Sequence, residues 1–300
     1  MINNPKEKSD LGLIFGITAY VLWGLLPVYW KALQDIPAYE ILCHRMIWSF
    51  IFLYLILAIK KHWNWLKKIP SDRNVLMIYS ATAFILGINW FIYIWAINSG
   101  FLVEASLGYF INPLVNVLLG VVILKEKLRA WQWIAIAIAS LGVLYLTLDY
   151  GRVPWIALTL AFSFGMYGLL RKVGPLSSLE GLSFEMTLLL IPALLFLIYL
   201  EIKGQSAFGH VALYKNGLLV LAGIATAIPL LFFASAARRI KLTTIGILQY
   251  ISPSLQFLLG VFVYKEDFPQ GRFVGFIIIW IALLIFSLDR IKMKRKRLEA

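Results

Sequence analysis

The chain has 300 residues, of which 61% are apolar and 14% charged, and its formal net charge is +13. A soluble domain averages roughly 45–50% apolar and 25% charged residues, so a soluble globular fold is excluded. The positive charge lies in short loops and at the C-terminus, where membrane insertion puts it, which argues against nucleic acid as a partner. Cys43 is the single cysteine, so an intrachain disulfide and a zinc cluster are excluded.

Lys6 and Lys8 precede a first apolar block over 11–31. This block contains Trp23, Pro27 and Trp30 and is too long for the apolar core of a signal peptide, so it reads as the first span. Further spans are predicted at 39–59, 74–98, 102–124, 130–148, 153–170, 181–200, 215–237, 243–264 and 271–289, ten in all. Asn74–Val103, Asn216–Ala237 and Leu242–Tyr264 hold no charge for 30, 22 and 23 positions. About 20 mostly apolar residues cross a hydrocarbon core of ~30 Å as a helix. Trp63, Trp65, Trp131 and Trp133, near the span ends, read as interfacial anchors. The run RIKMKRKRLEA at 290–300 reads as a basic tail attracted to anionic headgroups.

With a cytoplasmic N-terminus, 21 Lys and Arg fall in inside segments and six outside, with Arg45 inside the second span. That bias predicts both termini in the cytoplasm, which an even number of spans requires.

Glu104–Leu128 (EASLGYFINPLVNVLLGVVILKEKL) is echoed 140 residues later by Thr244–Phe268. Pro113, Gly120, Lys125, Glu126 and Asp149 fall on Pro253, Gly260, Lys265, Glu266 and Asp289; the same offset sets Lys31 on Arg171 and Glu40 on Glu180. Five spans per half follow, at 11–149 and 153–289, and an odd number gives the halves opposite orientation. Inverted repeats are an architecture of secondary transporters.

The stretches AYVLWGLLPVYWKAL (19–33), EILCHRMIWSF (40–50), NWFIYIWAINS (89–99) and EASLGYFINPLVNVLLG (104–120) resemble the RarD family. With the paired EamA-type repeats, they resemble the wider drug/metabolite transporter superfamily. The resemblance runs from about Leu11 to Asp289. It implies ten helices, cytoplasmic termini and a central cavity between inverted halves. The family's historical label, chloramphenicol sensitivity, names a phenotype and leaves the solute open.

Ions within a bilayer usually face a cavity or a partner, because a central one costs ~2.5–3.5 kcal/mol on insertion scales. Glu40, His44 and Arg45 are therefore candidates. Glu40 and His44 share a helix face at i,i+4, and the trio suits an anionic group or a proton relay. The bland alternative places all three at the outer end of the span, in reach of headgroups. Glu104 opens the fourth span, where a carboxylate also complements the helix dipole; the resemblance favours transport. Tyr109, Asn112, Gln249 and Tyr250 flank the paired prolines, and such breaks in both halves point to a midplane site. The alternative is helix packing through small and polar residues. Trp23, Asn89, Trp90 and Tyr93 read as polar-aromatic wall material suited to amphipathic solutes, with interfacial anchoring as the alternative for the aromatic residues.

No P-loop, Ser-His-Asp set, His-Glu-x-x-His motif or paired catalytic carboxylates occur, so ATP-driven transport and enzymatic activity are not expected. The expectation is an all-α membrane protein of ten helices. It would move a small organic metabolite or drug-like solute across the plasma membrane by alternating access, with no cofactor or metal. Substrate contacts are expected from His44, Arg45, Trp23, Asn89, Trp90, Tyr93, Tyr109, Asn112, Gln249 and Tyr250. Glu40, His44 and Glu104 are the candidates for proton coupling. An uncoupled channel or a non-transporting scaffold remains an alternative, and a homodimer is one arrangement that the sequence allows.

Overall fold

The computed structural model describes residues 5–68, 72–151, 153–265 and 270–299. Its elements are α1 (Pro5–Lys31), α2 (Ala38–Ile59), a 3₁₀ turn (Asn64–Lys68), α3 (Arg73–Asn98), α4 (Leu102–Val122), α5 (Ala130–Tyr150) and α6 (Trp155–Val173). Then come α7 (Ser178–Ile202), α8 (Leu213–Ala237), α9 (Leu242–Gln249), α10 (Ile251–Leu258) and α11 (Gln270–Glu299). Among the described residues there is no strand, and nine helical segments are long and apolar enough to cross a membrane; α9, α10 and the π turn after them form one of these. Within α11 the apolar part is shorter, Phe273–Asp289.

Local chemistry sets the helix ends. Asp72 accepts hydrogen bonds from the Asn74 and Val75 amides at 2.9 and 3.2 Å and starts α3. Ser177 and Glu180 form a reciprocal capping box at the start of α7. Gly151, at φ 78°, closes α5 in the left-handed conformation that glycine adopts without a steric cost.

The two matched prolines act unequally. Proline removes an amide donor and crowds the carbonyl four residues back. Around Pro253 the span divides into α9 and α10 at Tyr250 and ends in a π turn, Leu259–Val263. Pro113 lies inside an unbroken α4. The expectation of matched breaks is thus corrected to one. α4 packs closely there: a Cβ on Gly246 would come within 2.5 Å of the Pro113 carbonyl oxygen.

Many of the large side chains left exposed are apolar. Leu55, Phe84, Phe91, Leu148, Ile191 and Leu195 point outward on six different positions of the bundle wall, an apolar coat that water would penalise and lipid does not. Trp63, Trp131 and Trp133 are also exposed, as anchors would be. Trp65 is the correction: the 3₁₀ turn folds it inward, 2% exposed, against Leu57, Val75 and Tyr79. Glu266 and Arg152 lie outside the described residues, as do the side chains of Asp149, Arg272 and most of the basic tail.

α4 packs on α6 and α9, α3 on α6 and α7, α2 on α7 and α8, α1 on α8 and α10, and α5 on α11. These pairings surround a central space that neither sequence half could wall alone.

Candidate functional site

A cavity of about 340 Å³ lies within the bundle. Its wall comes from α1 (Tyr20, Trp23, Trp30), α2 (Arg45), α3 (Asn89, Trp90, Tyr93), α4 (Tyr109, Asn112), α6 (Leu160, Phe164), α8 (Thr226) and α9–α10 (Gln249, Ser252, Gln256). Helical periodicity explains the contributors. Positions 23, 27 and 30 share a face, as do 89 and 93, 105, 109 and 112, and 249, 252, 253 and 256.

Of the candidate contacts, Trp23, Arg45, Asn89, Trp90, Tyr93, Tyr109, Asn112 and Gln249 meet at this wall. His44 and Tyr250 do not line it. His44 lies one position around α2 from Arg45 and is buried instead against the Phe208 ring, 4.7 Å between centroids. Its Nδ1 accepts a hydrogen bond from the Trp48 indole at 3.2 Å. Tyr250 is fully buried beside Leu107, Ala139 and Ile279, and its hydroxyl donates to the Phe110 carbonyl at 3.2 Å.

The two carboxylates expected as candidates for coupling are also placed away from the wall. Glu40 is fully buried and accepts from the Ala207 and Phe208 amides at 2.8 and 3.0 Å. It thereby fixes the loop between α7 and α8. Glu104 is buried and accepts from the Ile156 amide at 2.8 Å, at the start of α6. Both satisfy backbone amide donors with a carboxylate, which is the structural role that a helix start or loop asks of an acid.

Among the described residues Arg45 is the single formally charged side chain in the wall. Its Nε donates to the Thr226 hydroxyl at 2.9 Å. The guanidinium carbon lies 5.1 Å from the Trp30 ring centroid and 4.9 Å from that of Trp90. Within about 6 Å a guanidinium is attracted to an indole face. Among the described residues no carboxylate approaches Arg45 within 4 Å.

At the cavity wall an amide chain links α4 to α9. Asn112 donates to the Ala161 carbonyl at 2.7 Å; Asn116 donates to Asn112 at 3.0 Å and to Gln249 at 2.9 Å. Asn89 donates to the Leu160 carbonyl and the Ser163 hydroxyl at 3.0 and 2.8 Å, and Tyr93 and Tyr109 meet edge to face at 5.9 Å. Fixed amides and phenols of this kind orient a solute while aromatic rings supply contact area.

Several wall residues escaped the sequence reading. Trp30, Ser252 and Gln256 were accessible by extending the helical period from Trp23 and Gln249. Tyr20, Phe164 and Thr226 carried no local signal, since each sits in an apolar run like any other.

The end of the bundle away from the α1–α2 turn is closed by polar ties. Arg171 is 1% exposed and pairs with the buried Glu185 at 3.3 Å. Arg171 also donates to the Ser178 carbonyl at 2.8 Å, and Tyr167 donates to Glu185 at 3.1 Å. Arg171, in the last turn of α6, is thus a core residue. Glu126 accepts from the Leu242 and Thr243 amides at 2.7 and 3.0 Å, joining the end of α4 to the start of α9.

The EamA-like transporter family model matches residues 10–148 and 153–288. Protein RarD of Streptomyces exfoliatus is 43% identical, covering 98% of this chain and 95% of its own. The uncharacterized transporter YojE of Bacillus subtilis (strain 168) is 45% identical, covering 96% and 97%. Protein RarD of Escherichia coli (strain K12) is 42% identical, covering 97% and 98%. A solved crystal structure aligns over 93% of this chain and 98% of its own with a TM-score of 0.70; at 18% identity the likeness is one of fold. The chain therefore belongs to the EamA-like transporter family, on its RarD branch, and is a multi-pass membrane transporter and not an enzyme.

Proposed function

We propose that the chain is a secondary transporter of a small organic solute, with two inverted five-helix halves, 11–149 and 153–289, rocking around the cavity. The first observation carrying this reading is the cavity wall, to which both halves contribute. A site between inverted repeats is exposed to each side in turn when one half tilts against the other. Polar ties through Glu126 and the Arg171–Glu185 pair close one end of the bundle, while the cavity lies towards the other.

Support for the repeat between the halves comes from two further features. Exchanging each helix with the one five spans on carries the pairing pattern onto itself: α1 with α8 becomes α6 with α3, and α2 with α8 becomes α7 with α3. Lys125 and Lys265, matched by the repeat, both take positive φ, 54° and 53°. Few non-glycine residues do so, and independent loops have little reason to agree. The excess of Lys and Arg in alternate loops supports ten spans with both termini cytoplasmic, in a bacterial inner membrane.

Proton coupling through Glu40, His44 or Glu104 has less support, because each is engaged in packing or capping away from the cavity. The test is counterflow. Purified protein in liposomes, offered a cell metabolite mixture, should accumulate a solute class saturably, faster with the same solute on the opposite side. Flux indifferent to solute on the opposite side would mean a channel and end the alternating-access reading.

A further inference from the structure

We infer that the cavity takes a solute with one negative charge on a flat apolar body, a monocarboxylate above all, and that Arg45 is the group that binds the anion. The inference rests on the transport reading and adds the chemical class of the solute.

Three observations carry it. The first is charge. Among the described residues Arg45 is the one formally charged side chain in the wall, and no carboxylate pairs with it. A lone cation inside the bilayer is costly and is retained where it has work to do. A monoanion neutralises it. A neutral solute leaves it unpaired, a dianion leaves a surplus negative charge, and an ammonium compound sets like charges together. At low dielectric each of these mismatches is severe.

The second observation is the free edge of the guanidinium. Nε is engaged by Thr226, and the Trp30 and Trp90 rings lie about 5 Å away. Among the described residues no other hydrogen bond to Arg45 is formed, which leaves the edge carrying the two terminal nitrogens. Two parallel N–H groups match the two oxygens of a carboxylate, a pairing that a lysine ammonium cannot reproduce. Thr226 and the two indoles set the plane of the group before solute arrives.

The third observation is the rest of the wall. Trp23, Trp90, Tyr93 and Phe164 offer flat apolar faces, and the space is about 340 Å³. That is near the lower end of the ~300–1,000 Å³ of ligand pockets, suited to a body of one or two rings. Asn112 and Gln249, tied to each other through Asn116, add neutral polar groups to this wall.

The test uses four probes that share a benzene ring and differ in head group: phenylacetate, phenylacetamide, phenethylamine and phenyl phosphate. Binding of radiolabelled phenylacetate to the purified full-length protein in nanodiscs is measured directly, and the other three are offered as competitors. Phenylacetate should bind at least tenfold more tightly than the amide, the amine and the phosphate. Arg45→Gln should bring phenylacetate down to the level of the amide, and Arg45→Lys should retain only part of the preference. If the Gln variant does not fold, the Lys variant and the wild-type ranking carry the test. Equal or better competition by the amide, the amine or the phosphate overturns the inference, as does binding of none of the four. Either failure leaves the transport reading to be decided by counterflow with the metabolite mixture.

Discussion

Arg45 and Arg171 both lie inside the helix bundle, and their surroundings are opposite. Arg171 is paired with Glu185, capped onto the Ser178 carbonyl and covered by the Tyr79 ring at 5.4 Å. Arg45 has a hydroxyl, two indoles and an open cavity. The 140-residue echo sharpens the contrast, because the position matching Arg45 in the second half is Glu185 itself. One point of the duplicated frame thus carries a cation facing a cavity in one half and an anion within a closed ion pair in the other. The lesson is that a buried charge supplied with its counter-charge by the fold holds the fold together. One left without is available to a ligand.

The largest expected effect follows from breaking the closed pair. Glu185→Ala strands the Arg171 guanidinium at 1% exposure, and removal of one partner of a buried pair costs ~3–5 kcal/mol. Thermal unfolding in detergent should show a large loss of stability. Replacing both residues by apolar ones, Arg171→Met with Glu185→Leu, should recover most of it, because two buried charges and their desolvation vanish together. Arg45→Gln is the counterpart. It strands no carboxylate, so stability should stay within about 1 kcal/mol of wild type while binding of phenylacetate falls at least tenfold. If Arg45→Gln destabilised the protein as much as Glu185→Ala, the distinction between the two arginines would be lost.

These two sites also mark what a single sequence reveals. Arg45 is legible as a candidate because it interrupts an apolar run, although its sequence neighbour Glu40 turns out to be held by the Ala207 and Phe208 amides. The Arg171–Glu185 pair was hidden, since Arg171 sits beside Lys172 at a span end and looks like an ordinary loop cation. Only the packing of α3, α6 and α7 buries it. Nine of the ten expected spans are readable from the length of the apolar runs; for the tenth, the described apolar part, Phe273–Asp289, is shorter than the others. His44 was misplaced for a rotational reason: adjacent positions on a helix point about 100° apart, and sequence does not say which one faces the centre. Tyr250 was misplaced by the break at Pro253, which shifts the phase of the helix at that residue.

A middle-sized effect is expected at Glu40, which neither pairs with an arginine nor lines the cavity. Glu40→Gln keeps one acceptor oxygen and loses the charge that receives the Ala207 and Phe208 amides. Charged hydrogen bonds are worth ~1.5–3 kcal/mol and neutral ones about half that or less. Stability should fall by about 1–2 kcal/mol, with faster amide hydrogen exchange confined to the 206–208 loop. The ranking of the four ring probes should stay as it is. A change in that ranking would bring Glu40 into the solute chemistry and blur the contrast between site and scaffold.

The smallest effect is the most discriminating. Thr226→Val keeps the shape of a fully packed α8 side chain and removes the hydroxyl that receives Arg45 Nε. The charge remains, so attraction to an anion remains, but one constraint on the guanidinium plane is gone. A neutral-to-charged hydrogen bond of this kind, partly replaced by the two indoles, leaves a residual of ~0.5–1.5 kcal/mol, or about twofold to twelvefold in the affinity for phenylacetate. The loss should be specific to the carboxylate, with phenylacetamide unmoved. It should also be absent when Thr226→Val is added to Arg45→Gln, since the hydroxyl acts through Arg45 alone. Equal losses for both probes would assign Thr226 to the general packing of the wall and reduce Arg45 to a charge without a fixed orientation.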